Sequence, residues 1–173
     1  MAVYTTIDDS EAYFQVKLWT GTEVSNALTF DANTDGSINT TATSANTTSG
    51  FSINTFTGSG SSATIGHGLG VVPKMIIVKA RGQASTWAVY HASVADGETK
   101  FMRLNENYAP ADEADWWDDT APTSTVFTIG SNHYANTQVA YCFTDVQGFS
   151  KFGGYTGNGA DDGTFIYTGF QPA

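Results

Sequence analysis

The chain has 173 residues, which is enough for one domain with a substantial core. Charged residues make up 14% of it, against roughly 25% in an average globular chain, so Ser, Thr, Asn and Gly supply most of the polar content. Lys and Arg number 7 against 17 Asp and Glu, a formal net charge of −10. This balance repels phosphate backbones and argues against a nucleic-acid partner.

The single cysteine, Cys142, excludes an intrachain disulfide framework. The N-terminal stretch "MAVYTTIDDSEAYF" lacks the basic, apolar and small-residue regions of a signal peptide. The longest apolar runs, "MIIV" and "VAYCF", are too short to span a bilayer. We therefore expect a protein that is made in the cytoplasm, does not insert into membranes and leaves the cell by lysis.

Short segments rich in aromatic and β-branched residues recur along the chain, and Gly, Pro, Asn or Asp separate them. Two strands are predicted at 12–20 and 26–30, and a polar stretch follows in which Ile38 is nearly the only apolar residue. The remaining predicted strands are 51–58, 62–67, 74–80, 85–91, 99–105, 125–130, 137–146, 149–157 and 163–170. Between them, 106–124 is a looser acidic region in which 106–117 has room for one helical turn.

Strand spacings of about 8 to 12 residues predict an all-β fold, an antiparallel β-sandwich or jelly-roll-like single domain with an N-terminal strand extension. We assign 1–35 to that extension, a fragment of a first repeat. Residues 36–50 are predicted to be a polar connector, too hydrophilic to build a core. Residues 51–173 form the predicted β-sandwich domain.

The segment "IGHGLGVVPKMIIVKA" places Gly66, Gly68 and Gly70 before a lysine, as many phosphate-binding loops do. A phosphate loop needs a helix after the glycines, because the helix N-terminal amides hold the phosphate. Here a β-branched, Pro-containing stretch follows instead. The glycines therefore predict a turn between two strands, with positive φ or close backbone approach.

A second pattern, "DANTDGSIN", places Asp31, Asn33 and Asp35 at positions 1, 3 and 5 of a calcium-binding loop. Position 12, where a bidentate Glu should complete the shell, is Ala42, and no helical pattern flanks the loop. Two interpretations stay open: an Asn- and Asp-rich connector, which we prefer, and a weak calcium site. No other cofactor is expected.

The acidic aromatic stretch "DEADWWDD" contains Trp116, Trp117, Asp118 and Asp119. In a strand the two tryptophans face opposite ways, so one of them would be free to stack on a sugar while the carboxylates bind its hydroxyls. The competing interpretations are that one Trp fills the edge of the core while the acids stay solvated, or that the patch contacts protein in an assembly.

Signals of catalysis are weak. The histidines His67, His91 and His133 lie far apart in sequence, without the spacing of a metal site. Cys142 lies within an apolar strand pattern, which is typical of a buried residue. Asp118 and Asp119 are paired carboxylates of the type that a glycosidase uses, but acidic loops are common. We expect no enzymatic activity.

An internal repeat is visible near the C-terminus. The stretch "YTGNGADDGTFIYTGFQP" (155–172) can be laid over "FTGSGSSATIGHGLGVVP" (56–73) without gaps. Both begin with aromatic-Thr-Gly-x-Gly and end in Pro. Repeats of this kind are more typical of modular fibrous or surface proteins than of enzymes.

The segments "GFSINTFTGSGSSATIGHGLGVVPKMIIVKARG", "VAYCFTDVQGFSKFGGYTGNG" and "DGTFIYTGFQPA" resemble the repeated domain of tail-fibre-like structural proteins in marine bacteriophages, including those that infect cyanobacteria. The resemblance runs from about residue 36 to the C-terminus. Residues 13–35 resemble the opening of another copy, whose Pro-containing strand is missing. The resemblance implies a β-sandwich-like structural module and carries over no catalytic residues.

These observations lead to an expected function. We expect a virion structural protein, located in the virion as a tail fibre, fibre tip or capsid appendage. Its expected partners are other virion proteins and further copies of itself, most plausibly as a trimer. A host-surface glycan is an additional expected partner, and a carbohydrate-binding module is the alternative function, with Trp116 and Trp117 as its candidate residues.

Overall fold

The computed structural model describes residues 31–171, together with Val16–Lys17 and Glu23–Val24. The chain divides into two compact units, Met1–Phe30 and Asp31–Ala173. In the first unit, β1 (Val16–Lys17) pairs antiparallel with β2 (Glu23–Val24), so a strand lies within the predicted segment 12–20. The strand predicted at 26–30 lies outside the described residues.

The second unit is nearly all strand in its regular structure, as its composition predicts. The described elements in chain order are β3 (Ala42–Asn46), β4 (Phe51–Thr57), β5 (Ala63–Gly66), β6 (Met75–Ala80), β7 (Ala88–His91), β8 (Lys100–Arg103), β9 (Ala111–Asp112), α1 (Ala114–Trp117), β10 (Val126–Ile129) and β11 (Thr137–Phe143). The single turn of helix, α1, falls within the acidic region where 106–117 was predicted to have room for it.

The strands form two antiparallel sheets. The larger has seven strands in the order β3-β4-β11-β6-β7-β8-β9, and the smaller pairs β10 with β5. Strand β11 is central: Ala140 lies opposite Asn54 of β4 on one side and opposite Val78 of β6 on the other. The prediction of an all-β, antiparallel, sandwich-like fold is confirmed.

The hydrophobic core lies between the large sheet and a second layer made by the small sheet and α1. In β4, Ser52, Asn54 and Phe56 are buried while their neighbours are more exposed, which is the period of two expected of a strand. Across the layers, the rings of Phe56 and Phe127 meet edge to face at 6.4 Å between centroids. Such pairs add to the stabilisation that area burial provides.

The other face of the large sheet is apolar in part, since a neighbouring row on it contains Thr55, Val139 and Lys79. One row of cross-strand neighbours on this face consists of Ile53, Tyr141, Ile77, Val89 and Met102. A second row consists of Phe51, Phe143 and Met75. An antiparallel sheet that faces water normally carries polar residues there, so this face is suited to packing against a further layer.

The structure corrects the prediction that 36–50 is only a polar connector, because part of this stretch is a strand. Residues 42–46 form β3, the edge of the large sheet, and Ile38 bridges to Ile65 in β5. The hydroxyl of Thr43 donates to the side-chain oxygen of Asn54 at 3.0 Å. Polar residues can form this edge because Thr side chains fit a strand and find hydrogen-bond partners inside the sheet.

A second correction concerns 149–157 and 163–170, which were predicted to be strands and are not. Among the described residues both segments are irregular, apart from a single bridge between Val146 and Ser150. Their aromatic and β-branched residues have the composition of strands. No neighbouring strand within the described residues pairs with them, so the backbone stays irregular.

Candidate functional site

The two tryptophans of the acidic patch lie on α1, and the structure separates their roles. Trp117 is only 2% exposed and is packed edge to face against Tyr90, with 6.0 Å between ring centroids. A helical turn allows successive residues to turn toward the core, whereas a strand would have sent one of them outward. Trp117 therefore has no face available for a sugar ring, and the interpretation that one Trp fills the core is the one that fits.

Trp116 is half-buried and its ring is also occupied. It stacks on Phe101 with 4.4 Å between centroids and meets His133 edge to face at 5.2 Å. Its indole N–H donates to the carboxylate of Glu113 at 3.1 Å. These contacts hold Trp116 as the cover of the core beside α1, and its sugar-stacking role stays a prediction without support from the geometry.

Asp118 and Asp119 are exposed, and both have left-handed backbone conformations, with φ of 53° and 46°. Asp118 ends α1 and accepts a hydrogen bond from the hydroxyl of Ser62 at 2.6 Å. The two residues thus form the turn that leaves the helix. Asp and Asn tolerate this conformation better than most residues, which gives the acidic pair a structural role.

The predicted calcium loop has a different internal arrangement. The side-chain oxygen of Asn33 accepts the backbone N–H of Asp35 at 2.9 Å, and its amide nitrogen donates to the Asp35 carboxylate at 3.1 Å. Asp31 contributes its backbone oxygen to the N–H of Thr43. This is the geometry of an Asn- and Asp-rich turn, in which the side chains of Asn33 and Asp35 already have protein partners.

No group of three or more His, Cys, Asp or Glu side chains with metal-binding geometry occurs in residues 31–171 and the two short strands of the first unit. Binding of calcium by Asp31, Asn33 and Asp35 stays a prediction. Gly66 packs against this turn, since a Cβ at that position would overlap the Asn33 side chain.

The glycine-rich stretch connects the two sheets. Strand β5 belongs to the small sheet and β6 to the large one, and the intervening Gly68 and Gly70 have φ of 69° and 72°. The segment that follows the glycines is a strand, not a helix, so the requirement for a phosphate loop is not met. The predicted turn with positive φ is confirmed, and it carries the chain from one layer to the other.

His133 is buried against both tryptophans and is neutral. The amide nitrogen of Gln138 donates to the carbonyl of Tyr134 at 2.8 Å, so its oxygen accepts from Nδ1 of His133 at 3.3 Å. The proton is therefore on Nδ1, and Nε2 has no acceptor within the described residues. Because burial penalises the charged ring, the pKa of His133 is lowered to about 4.

His67 follows β5 and is likewise buried. Its Nδ1 accepts the backbone N–H of Leu69 at 3.2 Å, and its Nε2 lies 3.2 Å from the carbonyl of Thr123. This pairing places the proton on Nε2. Burial lowers the pKa of His67, and the hydrogen bond to Thr123 opposes that shift. Both histidines fasten loops to the core.

Cys142 lies near the end of β11 and is fully buried. The amide of Asn54 donates to its sulfur at 3.7 Å, and Asn54 also donates to the hydroxyl of Ser52 at 3.1 Å. Burial raises the pKa of the Cys142 thiol to about 12. The thiolate that acts as a nucleophile is therefore disfavoured, and the residue is part of a hydrogen-bonded core.

We expect the Cys142 thiol to be unreactive in the folded protein. Ellman's reagent should label less than a tenth of the protein within an hour at pH 8, because the thiol is both inaccessible and protonated. In 6 M guanidinium chloride (roughly the concentration that unfolds most domains) the same reagent should release one equivalent. Rapid stoichiometric labelling without denaturant would contradict the burial of Cys142.

A further candidate interaction site is the C-terminal segment, which the sequence analysis had placed in a strand. Its large side chains face outward: Phe165 is 87% exposed, Tyr167 78% and Ile166 50%. Earlier in the same irregular region, Phe149 and Tyr155 are also exposed. Clustered apolar exposure of this kind is typical of surfaces that bind other proteins.

The sequence predicted a strand at 163–170, which was wrong, and it gave no indication that these side chains are exposed. The signal that bears on it is the repeat, because 162–165 aligns with β5. Sequence alone does not tell whether a copied strand finds a partner in the same chain.

Residues 18–173 match the model of a family described as "Domain of unknown function (DUF7483)". The chain belongs to this family. The match takes in every described element from β2 onward, so the Trp116–Trp117 helix and the exposed C-terminal segment are parts of the DUF7483 domain. No curated protein and no solved structure gives a significant match to the chain. Among the residues described, no helix has the length and apolar character to cross a membrane.

Proposed function

We propose that this DUF7483 protein is a structural component of a bacteriophage virion, a tail fibre, fibre tip or capsid appendage, that functions by binding other copies of itself and other virion proteins. The observation that carries the proposal is the exposed, unpaired apolar segment near the C-terminus. The sequence resemblance to repeated domains of marine phage tail-fibre-like proteins supports the same function.

The exposure of this segment is large for a monomeric protein. Phe165 and Tyr167 alone leave about 300 Å² of aromatic surface in water, given that one such side chain buries roughly 150–250 Å² when covered. Soluble monomers seldom leave contiguous apolar patches of more than a few hundred Å² exposed. Contact with another protein chain would remove this surface from water.

The apolar second face of the large sheet supports assembly as well. Its central row contains no charged residue, and Ile53 at the edge of this row is 36% exposed. A sheet with apolar residues on both faces is suited to being an inner layer.

The placement of the titratable groups favours binding over catalysis. The groups with the largest pKa shifts, His133 and Cys142, are fixed inside the core by Gln138 and Asn54. A catalytic group needs its perturbed pKa in a cleft that a substrate can enter. The net charge of −10 supports solubility in a crowded assembly and disfavours binding to nucleic acid.

The first test is the oligomeric state. We expect the purified chain at 10 μM (about the concentration at which weak specific contacts persist) to show three times the chain mass of 18.4 kDa by light scattering after size exclusion. A trimer is the expected state because a segment of one chain that binds the next forms a closed ring when the rotation allows. A monomer at this concentration would contradict self-assembly.

The second test is location. Antibodies raised against the purified chain should label intact particles of the phage that encodes it, at the tail or on the capsid surface. Pre-absorption of the antibody with purified protein serves as the control. Particles that carry no label and no peptides of this chain by mass spectrometry would overturn the virion function whatever the oligomeric state.

A further inference from the structure

We propose that residues 163–170 of one copy add as an eighth strand to the β3 edge of the large sheet in a second copy. This inference rests on the proposed assembly function and names the contact through which copies join. The donor is the segment "GTFIYTGF", and the acceptor is β3, "ATSAN".

The donor segment has a strand composition without a strand's partners. Aromatic and β-branched residues occupy 164–168, and the most exposed of these side chains, Phe165 and Tyr167, alternate with Ile166. Within the described residues, no backbone-to-backbone hydrogen bond joins 163–170 to any other segment. Its N–H and C=O groups are therefore free to join a ladder, which is how an extended peptide is recognised at a sheet edge.

The internal repeat places the start of the donor segment at the position of a strand in the first copy. The segment 155–172 aligns with 56–73, and within 56–73 the residues Ala63–Gly66 form β5, which pairs with β10. The same domain therefore already contains a paired strand in the corresponding position. The corresponding residues are 162–165, of which 163–165 belong to the donor segment, and they remain unpaired in the described structure.

The acceptor edge has backbone groups that point away from the sheet. The N–H of Thr43 is directed away from β4 and is already occupied, because it donates to the carbonyl of Asp31 at 3.1 Å. Alternate residues of a strand direct these groups to the same side, so Ala45 also presents its N–H and C=O at the edge. Ser44, Ala45 and Asn46 are exposed, and β3 ends the strand order of the large sheet.

Charge favours a second copy as the partner. Neither 163–170 nor β3 contains a charged residue, although each chain has a net charge of −10. Two copies therefore repel each other least where these two neutral segments meet. The contact is head-to-tail, because donor and acceptor are different surfaces, and such contacts form a closed ring when the rotation allows.

The direction in which the side chains of the donor strand point selects its register against β3. Pairing Ile166 with Ala45 in an antiparallel ladder places Tyr167 beside Ser44 and Phe165 beside Asn46. In the large sheet Ser44 is opposite Ile53, and Asn46 is opposite Phe51. Each aromatic ring thus lies on the second face of the sheet, separated from an apolar row by the polar edge residue Ser44 or Asn46. Ile166 comes to the other face beside the small side chain of Ala45.

Cysteine cross-linking between two different variants tests this contact. Ala45→Cys and Ile166→Cys proteins, mixed and oxidised, should give a disulfide-linked heterodimer on non-reducing gels. Directly paired residues of this type lie with Cα atoms about 5.5 Å apart, inside the roughly 4.4–6.8 Å range of disulfides. The buried Cys142 does not interfere, because its thiol is inaccessible in the folded chain.

A matched control shifts the register by one residue. Ser44→Cys mixed with Ile166→Cys should cross-link at least tenfold less, because the two side chains point to opposite faces. An Ala45→Cys/Ile166→Cys double variant oxidised at nanomolar concentration should stay uncross-linked. A linked monomer in that experiment would show that the segment folds back on its own edge, which would overturn the proposal.

A disruption experiment completes the test. Phe165→Asp with Tyr167→Asp should weaken self-association at least a hundredfold while leaving the circular-dichroism spectrum and unfolding temperature unchanged, because both side chains are exposed. The control pair Phe165→Tyr with Tyr167→Phe should assemble normally. If the Asp variant stays oligomeric and the cysteines do not cross-link, strand addition is wrong although the virion function stands. Particles without the chain would instead refute the function.

Discussion

Replacing Trp117 by Ala is expected to reduce the free energy of unfolding by about 4 kcal/mol, within the range typical of Trp-to-Ala changes in a core. Trp117 is among the largest fully buried side chains, and its ring contacts both Tyr90 and His133. The substitution leaves a cavity between α1 and the large sheet that the rigid strands do not close. Urea unfolding followed by tyrosine and tryptophan fluorescence measures the loss.

Trp87→Ala is the matched control, because Trp87 is exposed and lies just before β7. We expect it to cost less than about 1 kcal/mol, as exposed substitutions usually do. Equal costs for the two variants would contradict the placement of Trp117 in the core. A Trp117→Ala protein that is fully stable would also reopen a ligand-binding role for this residue.

Acidification should destabilise the protein through His133, by about 2–3 kcal/mol between pH 7.5 and pH 4.5. The unfolded chain binds a proton on His133 near pH 6.5, whereas the folded chain does so only near pH 4. Because the folded-state pKa is the lower one, this contribution to stability is present above about pH 6.5 and is lost as the pH falls through about 4. The lowered pKa of His67 adds a loss in the same direction.

A His133→Gln variant isolates the effect, since the amide does not take up the proton. Its urea-unfolding free energy should fall less between the two pH values than that of the unchanged chain, by about 2–3 kcal/mol. His91→Gln is the control, because His91 is only half-buried at the end of β7, and this variant should keep the acid loss that His133 causes. An identical pH dependence in all three proteins would show that His133 is not buried as a neutral ring.

Much of the fold follows from local pattern. The strands at 51–57 and 137–143 match their predicted segments closely, because each has one buried face and therefore a residue period of two. The strand at 75–80 also matches, and it is a short apolar run with three successive buried residues. The glycine-rich turn was also predictable from local sequence. A phosphate loop requires a helix after the glycines, and the β-branched residues after Gly70 favour a strand instead. The burial of Cys142 follows from its place in an apolar strand.

Other features could not be read from neighbouring residues. The edge strand β3 has a loop-like composition, and it forms because the partner strand β4 lies beside it and Asn54 accepts from Thr43. Conversely, 163–170 has the composition of a strand and remains irregular in the described structure. Strand propensity expresses packing against a neighbour more than an intrinsic preference of the backbone, and a local pattern does not say whether that neighbour exists.

The orientation of the tryptophans also depends on which distant residues lie beside them. The pair Trp116–Trp117 would present one ring outward in a strand, but α1 turns both toward the core, where Phe101 and Tyr90 receive them. Gly130 permits this, since a Cβ there would overlap the backbone of Asp115. A contact between residues so far apart in sequence leaves no local periodic signal.

The sequence by itself determined the class of the protein: antiparallel strands separated by turns, an acidic surface with few charges, and a buried lone cysteine. These properties depend on composition and on alternation within a few residues, which each segment carries alone. Only the tertiary structure decided that β11 lies between β4 and β6, that Trp117 is enclosed, and that Phe165 and Tyr167 face water. Such outcomes depend on which distant segments meet, and that is set by the free energy of the whole packed chain rather than by any one stretch of it.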